Sequence, residues 1–315
     1  MSASTPIFHH YAASPFSEKV RKVFGYKQMA WQSVQAPPVL PKPDQIALTG
    51  GYRKAPILQV GHDVYCDTKL MCRVIDRLKP ERPLIPPGAE AATLMIERWV
   101  DQTLFFNAVA LFFQPQGVAA FSSALPPGML DTFLKDRAAM FAQGGTLPGP
   151  NLETARAELP AVFATIETQL GVKPFLGGDA PTQIDFAVYN PIWFIYTNAG
   201  IKAELKAFPK LCAWADRILA FGDGPFSELD GAAAVELCRA TRTSQPPLPG
   251  APLALPQARL GDRVKIGATD YAPDQVEGEL VIANAFEVAV RREDARAGTV
   301  IVHFPPEAFS VTKVG

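Results

Sequence analysis

Along residues 1–82 the apolar positions change rhythm several times. Pro6-Ile7-Phe8-His9-His10-Tyr11 is a run of β-branched and aromatic residues and predicts a strand. Phe16, Val20, Val23 and Phe24 then recur at helical spacing, which puts them on one face of a helix. Trp31-Gln32-Ser33-Val34 predicts a second strand. Pro37, Pro38, Pro41 and Pro43 follow, and so many fixed φ angles and missing N–H groups exclude a long helix there. Ala55-Pro56-Ile57-Leu58-Gln59-Val60, the Gly61-His62-Asp63 turn and Val64-Tyr65 read as a hairpin. Leu70, Met71, Val74, Ile75 and Leu78 form a helical stripe, opened by the good capping pair Asp67-Thr68. Strand and helix alternate, so 1–82 is expected to be an α/β domain.

Lys79-Pro80-Glu81-Arg82-Pro83 and Pro86-Pro87-Gly88 mark a linker, set at 83–90. Strand signals then vanish, and 91–243 is expected to be all-helical. Leu94, Trp99, Leu104, Phe105, Phe106, Phe112 and Phe113 predict one long helix. Met129, Phe133, Met140 and Phe141 predict another, and Ala155, Leu159, Val162, Phe163, Ile166 and Leu170 a third. Thr182 and Asp185 have capping-box spacing and read as structural. A stripe of Leu211, Trp214, Ile218 and Leu219, then a short helix near 230–241, close this domain.

Pro246, Pro247, Pro249, Pro252 and Pro256 make 244–258 a semi-rigid linker. Beyond it the strand rhythm returns, at Val264-Lys265-Ile266, from Glu279 to Val290 with a break near Asn284, from Thr299 to Phe304, and from Phe309 to Val314. Residues 259–315 therefore predict a small antiparallel β module of unknown role. It is too small to be comfortable alone and is expected to dock on the helical domain.

Composition narrows the classes. The 315 residues suffice for two or three domains, and 48% hydrophobic against 19% charged residues supplies full cores. A net charge of −1 gives no overall pull toward nucleic acid or an acidic membrane surface. The 259–315 module carries seven Lys and Arg against nine Asp and Glu, so a nucleic-acid-binding barrel with a basic face is not expected. No apolar run approaches a membrane span, and the first residues lack the pattern of a signal peptide. Cys66, Cys72, Cys212 and Cys238 are too sparse for a disulfide scaffold, which fits a reducing cytoplasm. They form no C-x-x-C pair and do not gather with His9, His10, His62 or His303 at ligand spacing, so no metal site is expected.

The stretch with the clearest chemical promise is Ser14-Pro15-Phe16-Ser17, where the first strand hands over to a helix. Pro15 suits the first helical turn and Ser14 suits the N-cap. A helix start gathers free N–H groups and partial positive charge, which favour an anion such as a thiolate. A purely structural cap is the plain alternative.

The order strand, Ser14-Pro15-Phe16 helix, strand, Lys54-Ala55-Pro56-Ile57-Leu58 hairpin and Asp67-Thr68 helix resembles the thioredoxin-like N-terminal domain of cytosolic glutathione S-transferases of the serine type. The Thr182-to-Asp185 loop and helix resemble their all-helical C-terminal domain, and the resemblance stops near residue 243. It implies a cis peptide before Pro56 and glutathione as co-substrate, with no metal. Ser14 would donate a hydrogen bond to the glutathione sulfur, Ser17 being the competing choice. The backbone at Pro56 and Ile57 would pair with the cysteinyl unit, and Asp67 and Thr68 would hold the γ-glutamyl end. Arg53 or Lys54 would face the glycyl carboxylate, unless they are simply solvated.

The resemblance also implies an apolar electrophile pocket between the two domains, for which Tyr11, Phe16, Phe105, Phe112 and Trp193 are the chosen residues. Phe106, Phe113, Phe194 and Tyr196 are further candidates, some of which belong to the core. The absence of a cysteine at position 14 argues against chemistry through a mixed disulfide with the enzyme. The implied function is a detoxifying transferase acting on a small hydrophobic electrophile, as a cytoplasmic homodimer without nucleic-acid or membrane partners. A non-catalytic binding or scaffold protein of the same fold, or a glutathione-dependent lyase or isomerase, are the alternatives. The Asp-Thr pair, the proline-broken second helix and the added β module keep the scaffold open.

Overall fold

The computed structural model describes residues 5–123, 125, 128–145, 149–271 and 274–314. The first unit runs β1 (Ile7–His10), α1 (Pro15–Lys27), β2 (Trp31–Gln35), α2 (Pro43–Thr49), β3 (Ile57–Val60), β4 (Asp63–Cys66) and α3 (Thr68–Leu78). β1 lies parallel to β2 and antiparallel to β3, which pairs antiparallel with β4. Every residue of β1, β3 and β4 is buried, as befits strands covered on both faces. α2 is as short as its prolines require: Pro43 stands in its first turn, and Gly50, at φ 79°, ends it in a left-handed cap. The Ala55–Pro56 peptide is cis, as the resemblance implies, and so is Leu40–Pro41.

The helical unit begins with α4 (Glu90–Trp99), which continues through a π-type turn at Val100–Leu104 into α5 (Phe105–Phe112). The predicted long helix is thus present with one wide turn, a feature that often marks functional sites. α6 (Pro115–Ser122), α7 (Met129–Ala142), α8 (Leu152–Gln169), α9 (Gln183–Tyr196) and α10 (Pro209–Leu219) follow. α6 is too short and too mixed in pattern to have been foreseen. The Thr182–Asp185 capping box is formed, and Asp185 also accepts from the Leu176 N–H at 2.6 Å and the Trp214 indole at 3.0 Å. That buried carboxylate pins the preceding loop and α10 to the start of α9, a structural role.

The remaining chain departs from expectation. β5 (Phe226–Glu228) pairs parallel with β2, and α11 (Gly231–Ala240) packs on α2 and β2. This segment therefore rejoins the first unit instead of closing the helical domain. β6 (Arg263–Ala268), β7 (Gln275–Ala283), β8 (Val288–Asp294), β9 (Gly298–Phe304) and β10 (Phe309–Lys313) form the antiparallel module. Its sheet joins the first unit, and it reaches the helical domain through Tyr271, which packs on Phe106 and Phe141. β9 pairs parallel with β4, and the whole becomes a 10-stranded sheet in the order β10-β6-β7-β8-β9-β4-β3-β1-β2-β5. Without β9, β4 would present a row of unpaired N–H and C=O groups. Phe304 and Phe309 add an apolar seam against Tyr52, with ring centroids 6.0 and 6.1 Å from it. Among the described residues no single helix is long and apolar enough to cross a membrane.

Candidate active site between the two units

Ser14 caps α1 from an extended backbone, and its Oγ accepts the Ser17 N–H at 3.1 Å. An oxygen that accepts from the helix keeps its own proton free to donate outward. Ser14 is only 1% exposed, yet it lines an apolar cavity between α1 and the helical unit. Ser17 is fully buried, lines neither of the cavities described here, and its hydroxyl has no partner among the described residues. Tyr11, Phe16, Phe105 and Phe112 line the same cavity as Ser14, together with Phe113, Phe121, Phe133, Phe141 and Phe194. Phe16 lies against Phe105 at 4.6 Å between ring centroids, and Phe112 stacks on Phe194 at 4.2 Å.

Trp193 is not among the residues lining this cavity. It faces a neighbouring groove with Ala13, Phe112 and Phe121, because successive helix residues point about 100° apart, and Phe194 takes the place expected of it. Phe106 supports the wall from behind through Phe141 and Tyr271, while the Tyr196 hydroxyl donates to Asp216 at 2.8 Å on α10.

A second, more polar cavity adjoins the first and shares Phe16, Lys54, Ala55, Phe105 and Tyr271 with it. Pro56, just before β3, lines it, with Asp67 and Thr68 at the start of α3. Asp67 caps α3, accepting the Lys69 N–H at 2.9 Å, and holds φ 73°, ψ 131°. Such a backbone costs a non-glycine residue on the order of 1–3 kcal/mol and recurs at ligand sites. Ile57, expected beside the cysteinyl unit, lies outside both cavities. It opens β3, is fully buried and is flanked by His9 of β1 and Cys66 of β4, so it lines neither cavity. Ala55, before Pro56, lines both.

A buried ionic layer begins in the wall of this cavity, at Lys69 and Asp101. Lys69 stands 3.4 Å from Asp101, Lys19 stands 3.4 Å from Glu97, and the Gln183 amide donates to Glu97 at 2.7 Å. Burial pushes the Asp101 carboxyl up, against the opposing pull of Lys69 and Lys19.

Arg53 and Lys54 are not simply solvated. The Arg53 guanidinium pairs with Asp136, and its backbone N–H donates to Asp274 at 3.0 Å. Lys54 donates to Asp270 at 2.6 Å and lies 4.1 Å from the centre of the Tyr271 ring. Two further cations escaped the sequence reading. Arg137 lies one helical turn beyond Phe133, so the stripe on α7 was the available signal for it. Lys42 gave no sequence signal. It is buried in the apolar cavity, its ammonium has no hydrogen-bonded partner among the described residues, and burial with Arg137 and Arg53 nearby lowers its pKa to about 7.

Residues 8–83 match the family model of the glutathione S-transferase N-terminal domain, and residues 146–221 match that of the C-terminal domain. The chain is 36% identical to a GST-like protein from Pseudomonas syringae, over 99% of this chain and 100% of that one, with a TM-score of 0.81. It belongs to the glutathione S-transferase superfamily. Because that match runs the length of both chains, the C-terminal β module is included in the likeness. A glutathione S-transferase from Rhodospirillum rubrum F11 shares the fold at 16% identity and a TM-score of 0.51, over 68% of this chain and 87% of that one. No curated protein matches the chain. Members of the superfamily bind glutathione and generally form dimers.

Proposed function

We propose that this transferase binds glutathione in the polar cavity and activates its sulfur at Ser14 for attack on a small hydrophobic electrophile held in the apolar cavity. The observation that carries this reading is the continuity of the two cavities through Phe16, Lys54 and Ala55, with Asp67 and Thr68 at one end and Ser14 at the other. Asp67 would receive the γ-glutamyl ammonium, and the Thr68 hydroxyl with the N–H groups of α3 its carboxylate. The backbone of Ala55 would pair with the cysteinyl unit, and Lys42, Arg53 and Lys54 are the cations in reach of the glycyl end.

The thiolate, not the thiol, is the nucleophile. A hydrogen bond to a charged acceptor contributes about 1.5–3 kcal/mol, which lowers a thiol pKa by roughly one to two units at 1.36 kcal/mol each. The α1 terminus adds about 0.3–1 kcal/mol, enough to bring the sulfur near neutral pH without a general base. A homodimer in the cytoplasm completes the reading, and the four cysteines, all free, suit a reducing compartment.

Calorimetry with glutathione on the wild type and on Ser14→Ala tests it. Micromolar to millimolar binding is expected in both, with turnover of a chlorodinitrobenzene falling at least about tenfold in the variant, as the loss of one charge-assisted hydrogen bond requires. No heat of binding to the wild type overturns the reading, and binding without turnover favours the scaffold. Sedimentation as a monomer removes the dimer.

A further inference from the structure

Lys54 reaches the junction of the two cavities already neutralised, and its partners come from the C-terminal module. Asp270 and Tyr271 leave β6 on the way to β7; both enter the wall of the polar cavity, and Tyr271 that of the apolar cavity as well. They are firmly seated there. Tyr271 meets Phe106 edge-on and stacks on Phe141, with ring centroids 5.7 and 5.4 Å apart. Asp274 accepts the Arg53 backbone N–H. Gly145 approaches so closely that a Cβ there would stand 1.6 Å from the Asp270 carbonyl oxygen.

The charges at this end of the site nearly cancel. Its cations are Lys42, Arg53, Lys54 and Arg137, and facing them are Asp136, Asp270 and Asp274. Asp136 serves both Arg53 and Arg137, the latter at 3.6 Å. Lys42, with a pKa held near 7, is about half charged at neutral pH. A ligand carboxylate that pairs with Lys54 must displace Asp270, and Lys42 offers it only a half-charged ammonium. A neutral terminus has no such competitor.

We propose that Asp270 is a specificity-determining residue: by neutralising Lys54 it removes the selection for a free carboxylate at the glycyl end, so the site accepts amide-capped glutathione as readily as the free acid. This rests on the glutathione reading above.

Calorimetry with glutathione and with its glycinamide form, on the wild type and on Asp270→Asn, separates the two. The wild type should bind both thiols within about threefold, while Asp270→Asn should bind the free acid at least about tenfold more tightly and the amide unchanged, since one charge-assisted hydrogen bond becomes available. Adding Lys54→Met to Asp270→Asn should abolish that gain. A wild-type preference of tenfold or more for the free acid, or a ratio unmoved by Asp270→Asn, overturns this inference while leaving the glutathione reading intact. Binding of neither thiol removes both. A readout without glutathione is the modification of Lys54 by trinitrobenzenesulfonate, located by peptide mass spectrometry. It should run several-fold faster in Asp270→Asn, and equal rates overturn the neutralisation of Lys54.

Discussion

His303 Nε2 lies 2.9 Å from Asp63 Oδ1 across the β4–β9 seam that joins the C-terminal module to the first sheet. The other ring nitrogen, Nδ1, is 3.1 Å from Glu287 Oε2, and the ring stacks on Tyr65 at 4.3 Å. A carboxylate at each nitrogen favours the doubly protonated, charged ring. Burial alone would lower its pKa, but hydrogen bonds and charge from Asp63 and Glu287 outweigh burial and raise it. The same carboxylates hold the proline-rich segment: Asp63 accepts the Gln245 N–H at 2.8 Å and Glu287 the Leu248 N–H at 2.6 Å.

A histidine with a raised folded pKa contributes stability that is complete below its unfolded value of about 6.5 and is lost as pH climbs through the folded value. His303→Gln leaves two buried carboxylates without their cation and should cost about 3–5 kcal/mol in urea unfolding near pH 6. The gap between wild type and variant should narrow as the pH is raised. A gap that stays flat into the alkaline range would show that His303 does not titrate in the seam.

Lys19 and Glu97 form a second buried pair, between α1, whose cap is Ser14, and α4. Burial pushes the Glu97 carboxyl up, while Lys19 and Gln183 pull it down, and one of its oxygens has no partner among the described residues. Removing one member is worse than removing both, since a single deletion strands a charge in a low dielectric. Lys19→Met should therefore destabilise by about 3–5 kcal/mol, and Lys19→Met with Glu97→Leu should recover much of that loss. A double variant as unstable as the single one would place the cost in packing instead of charge.

What could be read in the chain follows the range of the interactions involved. Ser14 as a cap and Asp67-Thr68 as a helix start depend on neighbours a few residues away, and both stand where the local pattern puts them. The helical stripes on α7, α8 and α10 are local in the same way. The pairing of Asp63 with Ile301 is not, for the alternation of β9 shows that it is a strand without showing which edge it will complete. The arrival of Asp270 and Tyr271 beside Lys54 follows from that pairing and was equally hidden. Lys42 was hidden for another reason: a residue's burial at a cavity wall depends on which way the chain turns around it. One step along α9 was enough to exchange Trp193 for Phe194.

Lys42 gives the site its own pH dependence. Burial and the nearby Arg137 and Arg53 lower its pKa to about 7, so its ammonium is mostly discharged in mildly alkaline solution. A carboxylate bound beside it favours the charged form and draws its pKa upward. Free-acid glutathione should then bind with uptake of a fraction of a proton near pH 8, and its affinity should fall as pH rises above about 7. Calorimetry in buffers of different ionisation enthalpy measures that uptake directly. Lys42→Met should abolish the Lys42 part of both the uptake and the slope, leaving the thiol's own ionisation, which releases a proton and so has the opposite sign. Equal proton exchange in wild type and Lys42→Met would remove Lys42 from the ligand's surroundings.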